Sequence, residues 1–181
     1  MRRPFGDRAL TAWTTAISLG SVLPQYLVAS LAVSMRDDFA LSASELGVAT
    51  GASFAVAAVV SPMAGRVVEW IGMRRGVFAG AGLVAGSSLG TALFADSAGD
   101  VIALMAVNGL GGGIGAPTFA ALIAGGIRIE RQGMAFGMLT SAPQIAAFAG
   151  GLALPLVAQP LGWRAAFVVP TAITAVALTA L

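Results

Sequence analysis

Apolar residues in this chain fall in long unbroken stretches, without the alternation of a strand or the single stripe of a surface helix. Charges and turn residues divide it into six stretches, near 9–33, 44–65, 74–95, 100–126, 133–157 and 161–181. Each is as long as the roughly 20 residues a helix needs to cross a hydrocarbon core about 30 Å thick. A membrane barrel would need shorter segments of alternating polarity, so helices are predicted. The joints carry helix-start chemistry. Ser42-Ala43-Ser44-Glu45 reads as a capping box opening the second helix, and Ser97-Ala98-Gly99-Asp100 as one opening the fourth. Gly72 suits a left-handed turn before Arg74 and Arg75, and Pro160-Leu161-Gly162-Trp163-Arg164 reads as a tight turn at headgroup depth. The expected fold is an all-α membrane protein, residues 1–181 forming one bundle of six transmembrane helices.

Composition sharpens this. Hydrophobic residues make up 57% of the chain and charged residues 10%, against about 25% charged in a soluble domain. There is no Cys and no His, which removes disulfides, thiolate or imidazole metal sites and Ser-His catalysis. The chain is not expected to be an enzyme or to carry a cofactor or metal. Gly86-Ser87-Ser88-Leu89-Gly90 matches a nucleophile pattern only by chance, because it lies inside an apolar span with no His anywhere. A net charge of +2 gives no reason to expect nucleic acid; the expected partners are the lipid bilayer and a small-molecule substrate.

All ten cations are Arg, and their placement predicts orientation. Arg2, Arg3, Arg8, Arg66, Arg74, Arg75, Arg128 and Arg131 fall on one side, and only Arg36 and Arg164 on the other. The positive-inside rule puts the N-terminus and the even joints in the cytoplasm of a cell-membrane protein. The sixth stretch stops at Leu181 without a polar anchor, so the chain is expected to be the front part of something longer.

The joint after the second stretch carries the most specific motif: Gly65-Arg66-Val67-Val68-Glu69-Trp70-Ile71-Gly72-Met73-Arg74-Arg75. It resembles the signature of the major facilitator superfamily, a glycine, an acid four places on, a second glycine three further, then basic residues. Residues 109–117 (GLGGGIGAP) resemble that family's glycine-rich fourth helix, and Leu161-Gly162-Trp163-Arg164-Ala165-Ala166-Phe167 the entrance to its sixth. The chain departs from the pattern in having Glu69 for the usual Asp and Met73 where a basic residue is common. It also has Gly109 at the place of a helix-four Arg, and Ala142-Pro143-Gln144 in the fifth helix instead of a Gly-Pro signature.

The resemblance implies the N-terminal half of a twelve-helix secondary transporter that moves a small solute by alternating access. The joint formed by Gly65, Glu69, Gly72, Arg74 and Arg75 would be its conformational switch. Gly65 would let neighbouring backbones approach, and Glu69 would accept from a helix N-terminus while pairing with Arg74 or Arg75. Helices one and four, with two and five, would line the solute cavity. Gln25, Tyr26, Asn108 and Gln144 are the candidate cavity residues, and Gly20, Pro24, Gly113, Pro117 and Pro143 the candidate hinges. From the sequence each polar residue either lines that cavity or hydrogen-bonds a neighbouring helix. Trp13 and Trp70 are expected to be interfacial anchors. Gly76/Gly80, Gly82/Gly86/Gly90 and Gly133/Gly137 are expected to be packing surfaces. The alternatives are a half-size carrier completed by a second copy, or a non-transporting membrane scaffold or sensor; an intramembrane serine protease is disfavoured by the missing His.

Overall fold

Hydrocarbon offers a backbone no water to bond, so an apolar stretch satisfies its own N–H and C=O groups by winding into a helix even when rich in glycine. A computed structural model of the chain describes residues 6–39 and 41–179; Arg2, Arg3 and Leu181 lie outside the described residues. The helices are α1 (Asp7–Ser30), α2 (Ala32–Phe39), α3 (Ala43–Ile71), α4 (Met73–Phe94), α5 (Ala98–Gly126), α6 (Ile129–Ala153), α7 (Gln159–Leu161) and α8 (Trp163–Thr179). A π turn, Leu154–Ala158, joins α6 to α7 and contains Pro155. There is no strand among the described residues.

Four rods are long and apolar enough to cross a membrane: α3, α4, α5 and the continuous Ile129–Leu161 helix. A fifth is α1 with α2, if a pair bent by 64° counts as one span. The shorter α8 has 17 residues and is also apolar. The chain is thus a multi-pass membrane protein.

Two boundaries differ most from those expected of the sequence, and the fifth stretch, expected over 133–157, runs over Ile129–Leu161. The first stretch, expected to run unbroken over 9–33, is interrupted at Leu31 and continues to Phe39. The second, expected to stop near 65, runs on to Ile71, so Gly65 and Glu69 lie inside α3 rather than in a loop. The joint shrinks to Gly72 alone, whose φ of +89° lets two long helices meet with no intervening loop. Gly162, at φ +85°, makes the same kind of corner before α8. At the other end of α3 the capping box forms, Ser42 and Glu45 satisfying each other's backbone N–H.

Adjacency runs α3–α5–α1–α6, with α4 packed on α5 and α8, and α8 packed on α1. The largest apolar cluster joins Leu23, Leu27, Leu31 and Met35 to Val101, Met105 and Phe167. A second joins Trp13 and Ile17 to Val77, Ala81, Phe119 and Ala177. Both use α1, which places it at the centre of the bundle.

Candidate functional site

Where α1, α3 and α5 meet, three polar side chains are buried together. Gln25 Nε2 donates to Ser53 Oγ at 2.8 Å and to Asn108 Oδ1 at 3.3 Å, and Ser53 Oγ donates to Asn108 Oδ1 at 3.2 Å. The structure therefore joins two of the four candidate cavity residues and adds Ser53, which the sequence did not mark. Ser53 is one small hydroxyl in a run of small residues, and only the rotation of α3 turns it inward.

Packing explains how this cluster is held. Gly109 and Gly113, one turn apart on α5, lie against the α3 backbone at Ser53 and Ala57. Gly111 and Gly115, on another side of the same helix, lie against Gly80 of α4. The glycine run thus serves two close contacts at once, and α5 passes through Gly113 and Pro117 as one unbroken helix. Gly20 similarly meets α8, where a Cβ would come within 2.5 Å of the Thr174 hydroxyl oxygen. Pro24 and Pro143 also sit inside continuous helices; the sharp bend in the chain's first apolar stretch falls at Leu31 instead.

One atom is left over. Asn108 is completely buried, and its Nδ2 finds no partner among the described residues. An unpaired buried donor costs about 1–3 kcal/mol, whereas the two long hydrogen bonds to Oδ1 contribute little; bonds between membrane helices average about 0.6 kcal/mol. Asn108→Leu is therefore expected to leave thermal stability in detergent unchanged or raise it by about 1 kcal/mol, since Gln25 and Ser53 keep their bond. A loss of more than about 2 kcal/mol would show that the amide is fully satisfied.

The remaining candidates lie elsewhere. Tyr26 is half-buried beside Gly150 of α6, and Gln144 is exposed, its amide in the satisfied orientation donating to the Thr140 carbonyl oxygen at 2.7 Å. In the Gly65–Arg75 region, Gly65 has open space where a Cβ would go, so no backbone approaches it among the described residues. Glu69, Arg74 and Arg75 are all exposed. The expected pairing of Glu69 with Arg74 or Arg75 is absent among the described residues, and the Arg74 guanidinium sits 5.8 Å from the Phe78 ring centroid instead. Gly82, Gly86, Gly133 and Gly137 are likewise open, while Gly76, Gly80 and Gly90 meet neighbours.

At the end of the bundle that carries Gly72, Asp7 ties α1 to α6, accepting from Arg128 Nε at 2.8 Å with Arg131 at 3.7 Å. The hydrogen bond and charge of the Asp7 carboxylate raise the Arg128 pKa above its ordinary value. Beside it opens a cleft of about 390 Å³ lined by Arg8, Thr11, Arg131, Met134 and Met138. No group of acids able to hold a metal occurs among the described residues.

A stack of apolar helices around α1, with a buried neutral polar cluster and a glycine-zipped neighbour, defines a membrane-embedded bundle. Its sequence matches the family model of the Major Facilitator Superfamily over residues 9–181. The chain belongs to that superfamily. No curated protein matches it. Among solved structures it is similar to a D-xylose-proton symporter, at 17% identity and a TM-score of 0.78 over 94% of this chain and 46% of that one. It is also similar to the xylose transporter XylE from E. coli in an inward open conformation, at 18% identity and 0.75 over 96% and 47%. A peptide transporter in complex with alafosfalin matches at 17% and 0.66, over 94% and 36%. At such identities the likeness is one of fold, and the chain spans about half the length, or less, of these structures.

Proposed function

We propose that this chain is the N-terminal six-helix half of a twelve-helix secondary transporter, moving a small solute by alternating access rather than acting as an enzyme. The supporting observation is that the fold of 94% of this chain, itself a member of the superfamily, matches 46% of a D-xylose-proton symporter. In this reading α1 with α2, α3, α4, α5, α6 through α7, and α8 are the six spans. The arginine distribution supports an N-terminus in the cytoplasm of the cell membrane. The solute lies between this bundle and its counterpart, with the accessible Tyr26 and Gln144 contributing from this side, while Gln25 and Asn108, buried where α1, α3 and α5 meet, hold those helices together. Both are neutral, which suits an uncharged or amphipathic solute.

The Gly65–Arg75 region biases the two states. Glu69 is exposed and forms no ion pair among the described residues, so its role is played against the counterpart, where a carboxylate near a helix N-terminus contributes about 0.3–2 kcal/mol. In the intact carrier in vesicles, Glu69→Gln is expected to slow transport about two- to thirtyfold without changing membrane insertion. Unchanged flux removes Glu69 from the switch. A gene whose reading frame stops after codon 181 removes the twelve-helix reading.

A further inference from the structure

The bend at Leu31 has no local cause. Sharp kinks arise at proline, at Gly/Ser pairs, at π bulges or where a group inserts into the helix ladder. The stretch Ala29-Ser30-Leu31-Ala32-Val33 contains neither glycine nor proline, and Pro24 is almost two turns earlier inside regular helix. Leu31 N–H still bonds the Leu27 carbonyl at 2.8 Å, and Met35 N–H bonds the Leu31 carbonyl at 3.0 Å. Such a sequence is competent to continue as one helix, so the 64° turn is imposed from outside.

The contacts that impose it gather at the end of the bundle opposite Gly72. The Trp163 indole Nε1 donates to Asp38 Oδ2 at 2.6 Å, joining the start of α8 to the end of α2. Trp163 is itself buried, set edge-on to Phe167 at 6.0 Å, and lies under the Arg164 guanidinium at 4.7 Å. Arg164 reaches Asp96 at 3.0 Å, beyond the end of α4. Arg36 Nε donates to the Leu41 carbonyl at 2.9 Å, while Leu31 and Met35 fill the apolar cluster beneath. A charge-assisted bond on a buried ring, backed by an ion pair to a third helix, is suited to hold an eight-residue helix against its own tendency to straighten.

We propose that α2 is a releasable gate: the Trp163–Asp38 bond latches it across this end of the bundle, and losing that bond lets α1 and α2 straighten toward a single helix. This rests on the alternating-access reading for its use in transport, but the latch itself is testable without any solute. These 181 residues contain no Cys, so once any cysteine of the counterpart half is replaced, single thiols report cleanly. Met35, the fully buried residue on the inner side of α2, is replaced by Cys in the detergent-purified intact carrier and its reaction with a water-soluble maleimide is timed. Trp163→Phe, which keeps a ring but loses the donor, and Asp38→Ala are each expected to speed labelling about tenfold. Asp38→Asn retains an accepting oxygen and is expected to stay near the parental rate. Ala135→Cys, buried at the other end, is the control and is expected not to change in any of these backgrounds. An unchanged rate at position 35, equal acceleration at position 135, or Asp38→Asn as fast as Asp38→Ala overturns the latch. Should Met35→Cys fail to accumulate, spin labels at the exposed positions Val33 and Phe94 read the same motion, and an unaltered distance between them in Trp163→Phe overturns it equally. A parental protein that carries no solute while the labelling rates behave as expected would count against the carrier reading alone.

Discussion

Trp13→Ala is expected to lower the stability of the protein in detergent by about 3–5 kcal/mol, the range for removing a buried aromatic ring. Trp13 is 8% exposed, and its Nε1 donates to the Ala177 carbonyl at 2.7 Å, closing α1 onto α8. Its ring fills the space between Ile17, Val77, Ala81 and Phe119, so truncation opens a cavity and strips a buried carbonyl of its donor together. Trp13→Phe should recover most of the packing and leave a deficit of about 1–2 kcal/mol from the missing hydrogen bond. Trp70 is the control. It is 94% exposed, and Trp70→Ala is expected to shift stability by no more than about 0.5 kcal/mol. Equal losses at the two positions in thermal or denaturant unfolding would contradict the buried placement of Trp13.

Gly109→Ala is expected to cost about 3 kcal/mol, at the upper end of overpacking penalties, although alanine is the better helix former. The added methyl would overlap the Ser53 carbonyl oxygen, with Ser53 Cα 3.0 Å away, and both belong to the backbone of α3. A side chain in that place could rotate aside; a helix backbone has to move as a whole. The same displacement would pull Ser53 from Gln25 and Asn108, so the substitution strikes the polar cluster as well as the packing. Gly112, three residues along the same helix, has nothing within 4 Å of its hypothetical Cβ. Gly112→Ala is expected to be neutral or to stabilise by up to about 1 kcal/mol through helix propensity. Matched unfolding curves for the two variants decide the matter: similar midpoints would mean that α3 and α5 are not in backbone contact at Gly109.

These pairs mark where the sequence stops being informative. Trp13 and Trp70 look alike in the chain, each near the end of an apolar stretch, and both read as interfacial anchors; one is core and the other is exposed. Gly82, Gly86, Gly133 and Gly137 have the same small-residue spacing as Gly109 and Gly113, yet only the latter meet a backbone. Gln25 and Asn108 stood out as polar residues beside breaks in apolar helices, and they do meet, but Ser53 carried no comparable mark. The bend at Leu31 was illegible for a related reason: the residues that hold it, Asp38 and Trp163, are 125 positions apart.

The amino-acid sequence by itself determined the class of molecule: apolar helices without strands, capped at Ser42 and turned at Gly72 and Gly162, with the motifs of one superfamily. That much follows from local physics, because in hydrocarbon each stretch must satisfy its own backbone and each turn must suit its own residues. Tertiary structure alone decided which side of each helix is buried, which glycines are contacts, how three polar groups share one buried site and where α1 bends. Those depend on the rotation of every helix about its axis, and in a uniformly apolar stretch no amphipathic stripe records that rotation.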